Sequence, residues 1–246
     1  MKVNHEFFFG IHSVQEALES GSEIEKIYVR KDHQNTIIKD ILSRAYTLNI
    51  PIQKVPKEKL NTITGKNHQG IIAFISRVHY ASLDNVISTA YGRGDDPLVL
   101  MLDRITDVHN FGAIARTAEG LGFHAIIIPS KGSARLNNEA VKISAGALMH
   151  IPVCRVKSLL STTGFLKNNG IRVIGCTEKT RNSIYKTNLQ GPVCLVLGSE
   201  SDGISPELLS KVDEKVNIPM FGKVSSFNVS VSMAIAGSEL IRQRLT

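Results

Sequence analysis

Three stretches of this 246-residue chain place small polar and charged side chains directly after apolar runs, where a strand would hand chemistry to a loop. The first follows Leu98–Leu102 and runs from Asp103-Arg104-Ile105-Thr106-Asp107-Val108-His109-Asn110 through Gly112 to Arg116. Asn110 is expected to cap a helix whose buried face is Ile114, Ala118 and Leu121, leaving Arg116 off that face. Such an arginine is either a solvated helix residue or a clamp for phosphate and hydroxyl oxygens near a helix start that favours anions. The second stretch is Gly198-Ser199-Glu200-Ser201-Asp202-Gly203-Ile204-Ser205-Pro206. Gly198, at a strand end, lets a ligand or another backbone segment come close, and Ser205-Pro206 is a helix start. The third runs from Ile218-Pro219-Met220 to Ser225-Ser226-Phe227-Asn228-Val229-Ser230, ahead of a helical stripe of Val229, Met233, Ala236 and Leu240. One helix start uses one or two caps, so the surplus of Ser225, Ser226, Asn228 and Ser230 reads as ligand contacts.

Familiar catalytic signatures are missing. No G-x-G-x-x-G follows the 98–102 run, and there is no G-x-x-x-x-G-K-[ST], H-E-x-x-H or G-x-S-x-G, which removes the simplest dehydrogenase, P-loop, metalloprotease and hydrolase readings. The eight histidines contain no ligand-type i,i+4 pair, and Cys154, Cys176 and Cys194 form no C-x-x-C, so no metal site is expected. The cysteines read as small buried hydrophobes.

Lysine and arginine total 29 against 22 acids, a net charge of +7 that divides as +3 over residues 1–94 and +4 over residues 95–246. That spread fits a broad surface facing a polyanion better than a basic tail. Mean hydropathy is zero and no apolar run approaches the ~18 residues of a membrane span, so a soluble globular chain without a membrane partner is expected. An acid precedes the short Phe7-Phe8-Phe9 patch and no small-residue cleavage site follows, which gives no secretory signal and an expected cytoplasmic location.

The elements that would position these loops fall into two groups. In residues 4–78, Ser13 is expected to cap a helix through Val14, Ala17 and Leu18, Ile24–Val29 alternates as a strand, a helix runs from Thr36 to about Leu48, and strands follow near Ile52–Val55 and Gly70–Ile75. Beyond residue 97, branched runs at Leu98–Leu102, Ala125–Ile128, Ile171–Ile174, Val193–Leu197 and Val216–Ile218 alternate with helical stretches, the pattern of a mostly parallel sheet covered on both faces. The turn formers at 91–97 place a linker at residues 79–96, between a small α/β domain at 1–78 and a larger one at 97–246.

At its three loops the chain resembles the SpoU (TrmH-like) branch of the SPOUT superfamily, AdoMet-dependent RNA ribose 2'-O-methyltransferases. Asn110–Ala118 looks like that family's first motif, Leu197–Glu200 with Gly203-Ile204 its second, and Ile218–Met220 through Ser226–Ser230 its third. Phe9–Leu18 and His68–Ala73 resemble the ribosomal-protein-like RNA-binding domain of large-subunit rRNA guanosine methyltransferases. The resemblance implies an α/β C-terminal domain with a deep trefoil knot, a homodimer whose active sites form across the interface, no metal, and 2'-O-methylation of a guanosine in 23S rRNA. Carried over by position, Arg116 is the catalytic arginine, Asn110 the motif asparagine and Glu200 the acid expected to orient Arg116. Asn228 and Ser230 are the third-motif polar pair, and Gly198, Ile218, Met220, Ser225 and Phe227 hold AdoMet. A guanidinium stays charged below a pH of ~12, so Arg116 is expected to bind phosphate and stabilise developing alkoxide charge. Lys57, Lys59, Lys66 and Arg77 are expected to contact RNA phosphates. Arg104 and Val108 stand where the family often has glycine and proline, and Phe227 where it often has leucine. The alternatives are a tRNA guanosine 2'-O-methyltransferase, which the residue 1–78 domain disfavours, a non-catalytic RNA-binding ribosome-assembly protein, and, more distantly, a nucleotide-binding oxidoreductase.

Overall fold

The structure is a computed structural model that describes residues 7–76, 78, 80–134, 136 and 138–245, and the chain divides into two units at residues 77 and 78. The first unit runs β1 (Phe7–Phe9), α1 (Ile11–Glu19), β2 (Ile24–Arg30), α2 (Thr36–Thr47), β3 (Ile52–Val55), α3 (Lys57–Asn61) and β4 (Ile71–Ile75). Its sheet order is β1-β4-β2-β3, with β4 antiparallel to β1 and β2, and β3 parallel to β2. Alternation along β2 and β4 sends Ile27, Val29, Ile71 and Ala73 against Val14, Leu18, Ile38 and Ile41 of α1 and α2. Tyr28, Ile72 and Phe74 go to the other face with Leu60 of α3. Helix α2 starts where Asn35 accepts hydrogen bonds from the amides of Ile37 and Ile38.

Helix α1 begins at Ile11, two residues before the expected Ser13 cap. Its first amide donates instead to Oε1 of Gln69, 2.8 Å away, so a turn 58 residues further along supplies the cap. Gly10, at φ 85°, makes that entry. The turn is held by His68: its Nδ1 accepts the Gly70 amide at 3.0 Å and its Nε2 therefore carries the proton, facing Asn61 Oδ1 at 2.9 Å.

The second unit runs α4 (Leu83–Gly92), β5 (Leu98–Leu102), α5 (Val108–Gly120), β6 (Ala125–Pro129), α6 (Asn138–Ile143), β7 (Val153–Val156), α7 (Leu159–Asn168), β8 (Arg172–Cys176), β9 (Val193–Leu197), α8 (Pro206–Leu209), β10 (Glu214–Val216) and α9 (Val229–Arg244). Among the described residues its six strands are all parallel in the order β10-β8-β9-β5-β6-β7. Both faces are covered: Leu98, Leu100 and Leu102 pack with Phe111, Ile114, Met233 and Leu240 of α5 and α9, while Val99 and Met101 pack with Ile87, Leu166 and Leu208 of α4, α7 and α8. No helix among the described residues is long and apolar enough to cross a membrane.

The stretch expected as a linker, 79–96, is largely structured. Leu83, Ile87 and Ala90 recur at helical spacing and are buried, so α4 forms and belongs to the second unit's core. The turn formers at 92–97 only join α4 to β5. The last strand occupies Glu214–Val216 rather than Val216–Ile218, because Pro219 cannot extend the ladder and Asn217 instead accepts from Ile184 through its carbonyl. The strands β1 and β7, each three or four residues at a sheet edge, had no sequence signal of their own.

Burial, with Lys57 and Arg30 nearby, holds the His68 pKa below its ordinary 6.5. The unfolded chain then binds the proton more readily than the folded one, so the contribution to stability is complete above pH 6.5 and is lost as pH falls from there toward the lowered folded value. Denaturant midpoints measured on the full chain are expected to decline over that window, and His68→Gln is expected to flatten the decline.

Candidate active site

The loops after β5, β8, β9 and β10 gather at the carboxyl edge of the parallel sheet, the place where such sheets bind ligands. The segment after β10 starts at the sheet edge, shares a lining with Cys176 of β8 and Leu197 of β9, and leads into α9, which packs against α5.

At the end of β9 the chain turns back on itself. Ser199 and Gly203 exchange both backbone hydrogen bonds, at 3.1 and 3.0 Å, and this turn lies directly over Gly198. A Cβ at Gly198 would stand 2.0 Å from the Gly203 carbonyl carbon and from the Ile204 nitrogen, so the close neighbour of this glycine is the protein's own backbone.

Helix α5 is capped by Asp107, whose Oδ1 accepts the Asn110 amide at 2.7 Å. Asn110, expected as the cap, is the third residue of the helix, and the displacement frees its side chain. Its Nδ2 donates to Glu200 Oε1 at 2.5 Å, and its Oδ1 accepts from Asn228 Nδ2 at 3.0 Å. Asn228 caps α9, its Oδ1 accepting the amide of Ser230 at 2.8 Å and the Ser230 hydroxyl at 2.6 Å. A continuous chain from Glu200 through Asn110 and Asn228 to Ser230 therefore ties the three strand-end segments together. Arg116 is outside it. It is exposed, and among the described residues it has no hydrogen bond or ion pair, so the expected contact with Glu200 is not made within one chain; Glu200 is engaged by Asn110 instead.

Beside this chain lies a cleft of about 440 Å³. Gly198, Ile218, Met220, Ser225 and Phe227 all line it, and Glu200 forms part of its wall; Asn110, Arg116, Asn228 and Ser230 lie outside the wall. A further wall was missed in the sequence: Cys176 at the end of β8 and Thr177, Glu178 and Lys179 after it, with Lys179 Nζ donating to the Asp202 carbonyl at 3.3 Å. The signal was available, since these residues follow an apolar strand just as the other loops do. Glu178, Glu200 and Asp202 line the wall with one lysine, and Asp202 also pairs with Arg104 at 3.3 Å, so the local balance stays acidic by one charge and suits a cation.

Comparison with known proteins agrees with this architecture. Residues 97–238 match the SpoU rRNA Methylase family, and residues 7–81 match the domain family RNA 2'-O ribose methyltransferase substrate binding. The chain belongs to the SpoU rRNA methylase family. It is thus an RNA 2'-O-ribose methyltransferase, of a class that uses AdoMet, with an N-terminal substrate-binding domain. It is 37% identical to the 23S rRNA (guanosine-2'-O-)-methyltransferase RlmB of Vibrio parahaemolyticus over 99% of each chain. It is 34% identical to the "Putative TrmH family tRNA/rRNA methyltransferase YacO" of Bacillus subtilis over 99% of this chain and 98% of that one. The SpoU methyltransferase AviRb of Streptomyces viridochromogenes, solved with AdoMet, shares the fold at a TM-score of 0.62 and 22% identity, over 99% of this chain and 92% of that one.

Two outcomes test this geometry. Gly198→Ala is expected to cost about 3 kcal/mol or more, because the obstructing atoms are backbone, and to lower the melting temperature steeply. The Cys176 thiol is pushed up to about 12, first by burial and then by the Glu178 carboxylate, so it stays protonated at pH 8. Alkylation of Cys176 in the native protein is expected to be far slower than in the denatured chain, read by mass spectrometry.

Proposed function

We propose that this chain transfers the methyl of AdoMet to the ribose 2'-hydroxyl of a guanosine in 23S ribosomal RNA, using the cleft at the end of β9. The observation that carries the site is the hydrogen-bond chain from Glu200 through Asn110 and Asn228 to Ser230, with Glu200 on the cleft wall. The cleft fits the cofactor in size and lining. Its ~440 Å³ lies within the range of small-molecule sites, Ile218, Met220 and Phe227 offer apolar contact, and the acidic wall suits a sulfonium. Gly198, Ile218, Met220, Ser225 and Phe227 would hold AdoMet, which supplies an electrophilic methyl for in-line displacement.

The chain's own residues then have separable tasks. Both ends of the Asn110 amide are engaged, so it fixes the spacing between Glu200 and the start of α9. The Ser230 proton is committed to Asn228, which leaves Oγ lone pairs to accept from a ribose hydroxyl. The Arg116 guanidinium binds the target phosphate while stabilising charge on the 2'-oxygen, whose proton leaves to phosphate or water. In this reading Arg116 acts in the site of a second copy of the chain. Its exposure and its position outside the cleft support that, as does the groove on α9 lined by Ala234, Ile235 and Tyr185. The reading includes a deep trefoil knot, in keeping with Ile218, Met220 and Phe227 sharing the cleft with Cys176 at the end of β8 and Leu197 at the end of β9. Full-length similarity to RlmB supports the 23S guanosine, and the tRNA/rRNA name of YacO keeps tRNA as the competing substrate. In the substrate-binding unit Lys57, Lys59 and Lys66 are exposed and would meet phosphates, whereas Arg77 lies outside the described residues.

Labelled methyl transfer to unmodified large-subunit rRNA and to bulk tRNA, run in parallel, is expected to mark a guanosine ribose of the rRNA alone. Labelling confined to tRNA moves the substrate, and labelling of neither leaves a binding protein. Arg116→Ala is expected to abolish turnover while AdoMet still binds by calorimetry; near-normal turnover would remove Arg116 from the mechanism.

A further inference from the structure

Arg104 combines an unfavourable backbone with side-chain contacts that converge on the cleft wall. Its φ is 59°, a left-handed conformation that a side chain other than glycine rarely adopts. From there its guanidinium reaches across the end of β9: Nη1 lies 3.3 Å from Asp202 Oδ2 and Nη2 donates to the Gly203 carbonyl at 3.0 Å. The neighbouring Asp103 is buried, lies 3.5 Å from Arg104 Nε through Oδ1, and accepts the Ser205 amide at 2.7 Å through Oδ2. Two consecutive residues thus grip the Ser199–Gly203 turn and Ser205, two positions beyond it.

We propose that Arg104 is a positioning residue for the cofactor wall, fixing the turn whose backbone closes over Gly198 and whose residues 199–203 line the cleft. This rests on the cleft being the AdoMet site. A fork of two donors suits the task because it fixes both the side chain and the main chain of adjacent residues, which a single point charge cannot do. Without it, Gly203 loses its guanidinium partner and Asp202 is held through its carbonyl by Lys179.

The test is AdoMet affinity by calorimetry and steady-state methylation of RNA with wild-type protein, Arg104→Ala, Arg104→Lys and Arg104→Gly, with melting curves for each. Arg104→Ala is expected to raise the AdoMet Kd and KM about tenfold while kcat at saturating AdoMet stays within about twofold, the size of a lost charge-assisted hydrogen bond. Arg104→Lys is expected to recover part of that affinity. Arg104→Gly should bind as weakly as Arg104→Ala yet melt at a higher temperature, because glycine relieves the backbone without restoring the fork. Unchanged affinity in Arg104→Ala, or a fall in kcat with KM unaltered, overturns the assignment. A wild-type chain that binds no AdoMet overturns it together with the proposed function, whereas a wild-type chain that binds normally isolates the failure to Arg104.

Discussion

At the end of β9 two lengths of main chain lie so close that the intervening position has room for a hydrogen and nothing larger, and the candidate site is arranged around that contact. The turn over Gly198 puts the backbone of residues 199–203 into the cleft wall and brings Glu200 within reach of α5. The parallel sheet makes this the available place. With both its faces buried under helices, its polar groups meet solvent and ligand at the strand ends, and β9 lies near the middle of the sheet between β8 and β5.

Helix capping decides which polar side chains remain for the site. Because Asp107 satisfies the start of α5, Asn110 is spared that task and joins Glu200 to Asn228. Asn228 does both jobs at once: its carbonyl oxygen caps α9, and its amide nitrogen donates to Asn110. The same side chain therefore sets the start of a sixteen-residue helix, buried along one face, and the register of the polar chain. Disturbing the cap should disturb the site, which couples packing on the α5–α9 face of the sheet to the geometry of the loops.

What the sequence disclosed followed the physics of each signal. Runs such as Leu98–Leu102 and Val193–Leu197, buried on both faces, are legible because almost every residue in them is apolar. Two of the edge strands, Phe7–Phe9 and Val153–Val156, are not: they are short, and long-range pairing selects them. The cap of α1 was invisible because it comes from Gln69, far along the chain, while a plausible local candidate, Ser13, drew the eye. The helix at 83–92 was hidden by the glycines and aspartates that follow it. In the site, the residue types of the three loops were readable, and the five residues expected at the cofactor do share one cleft. The wall at the end of β8 carries the same signal, a polar stretch behind an apolar strand, but Cys176-Thr177-Glu178-Lys179 has no distinctive motif, and only the sheet order makes it adjacent to the β9 turn.

The position of Arg116 follows from helix geometry and bears on the proposed assembly. Asn110 and Arg116 are six residues apart on α5, about 9 Å along the axis and about 240° around it. The two side chains therefore leave the helix in different directions, and Asn110 already points into the chain that ends at Ser230. One copy of the helix cannot readily aim both at the same ribose. In the proposed reading a second copy supplies the arginine to a site whose own asparagine is committed to the polar chain beside the cleft. In that reading a second copy would meet the divergence, each copy keeping the polar chain that orders its own loops and lending Arg116 to its partner's cleft.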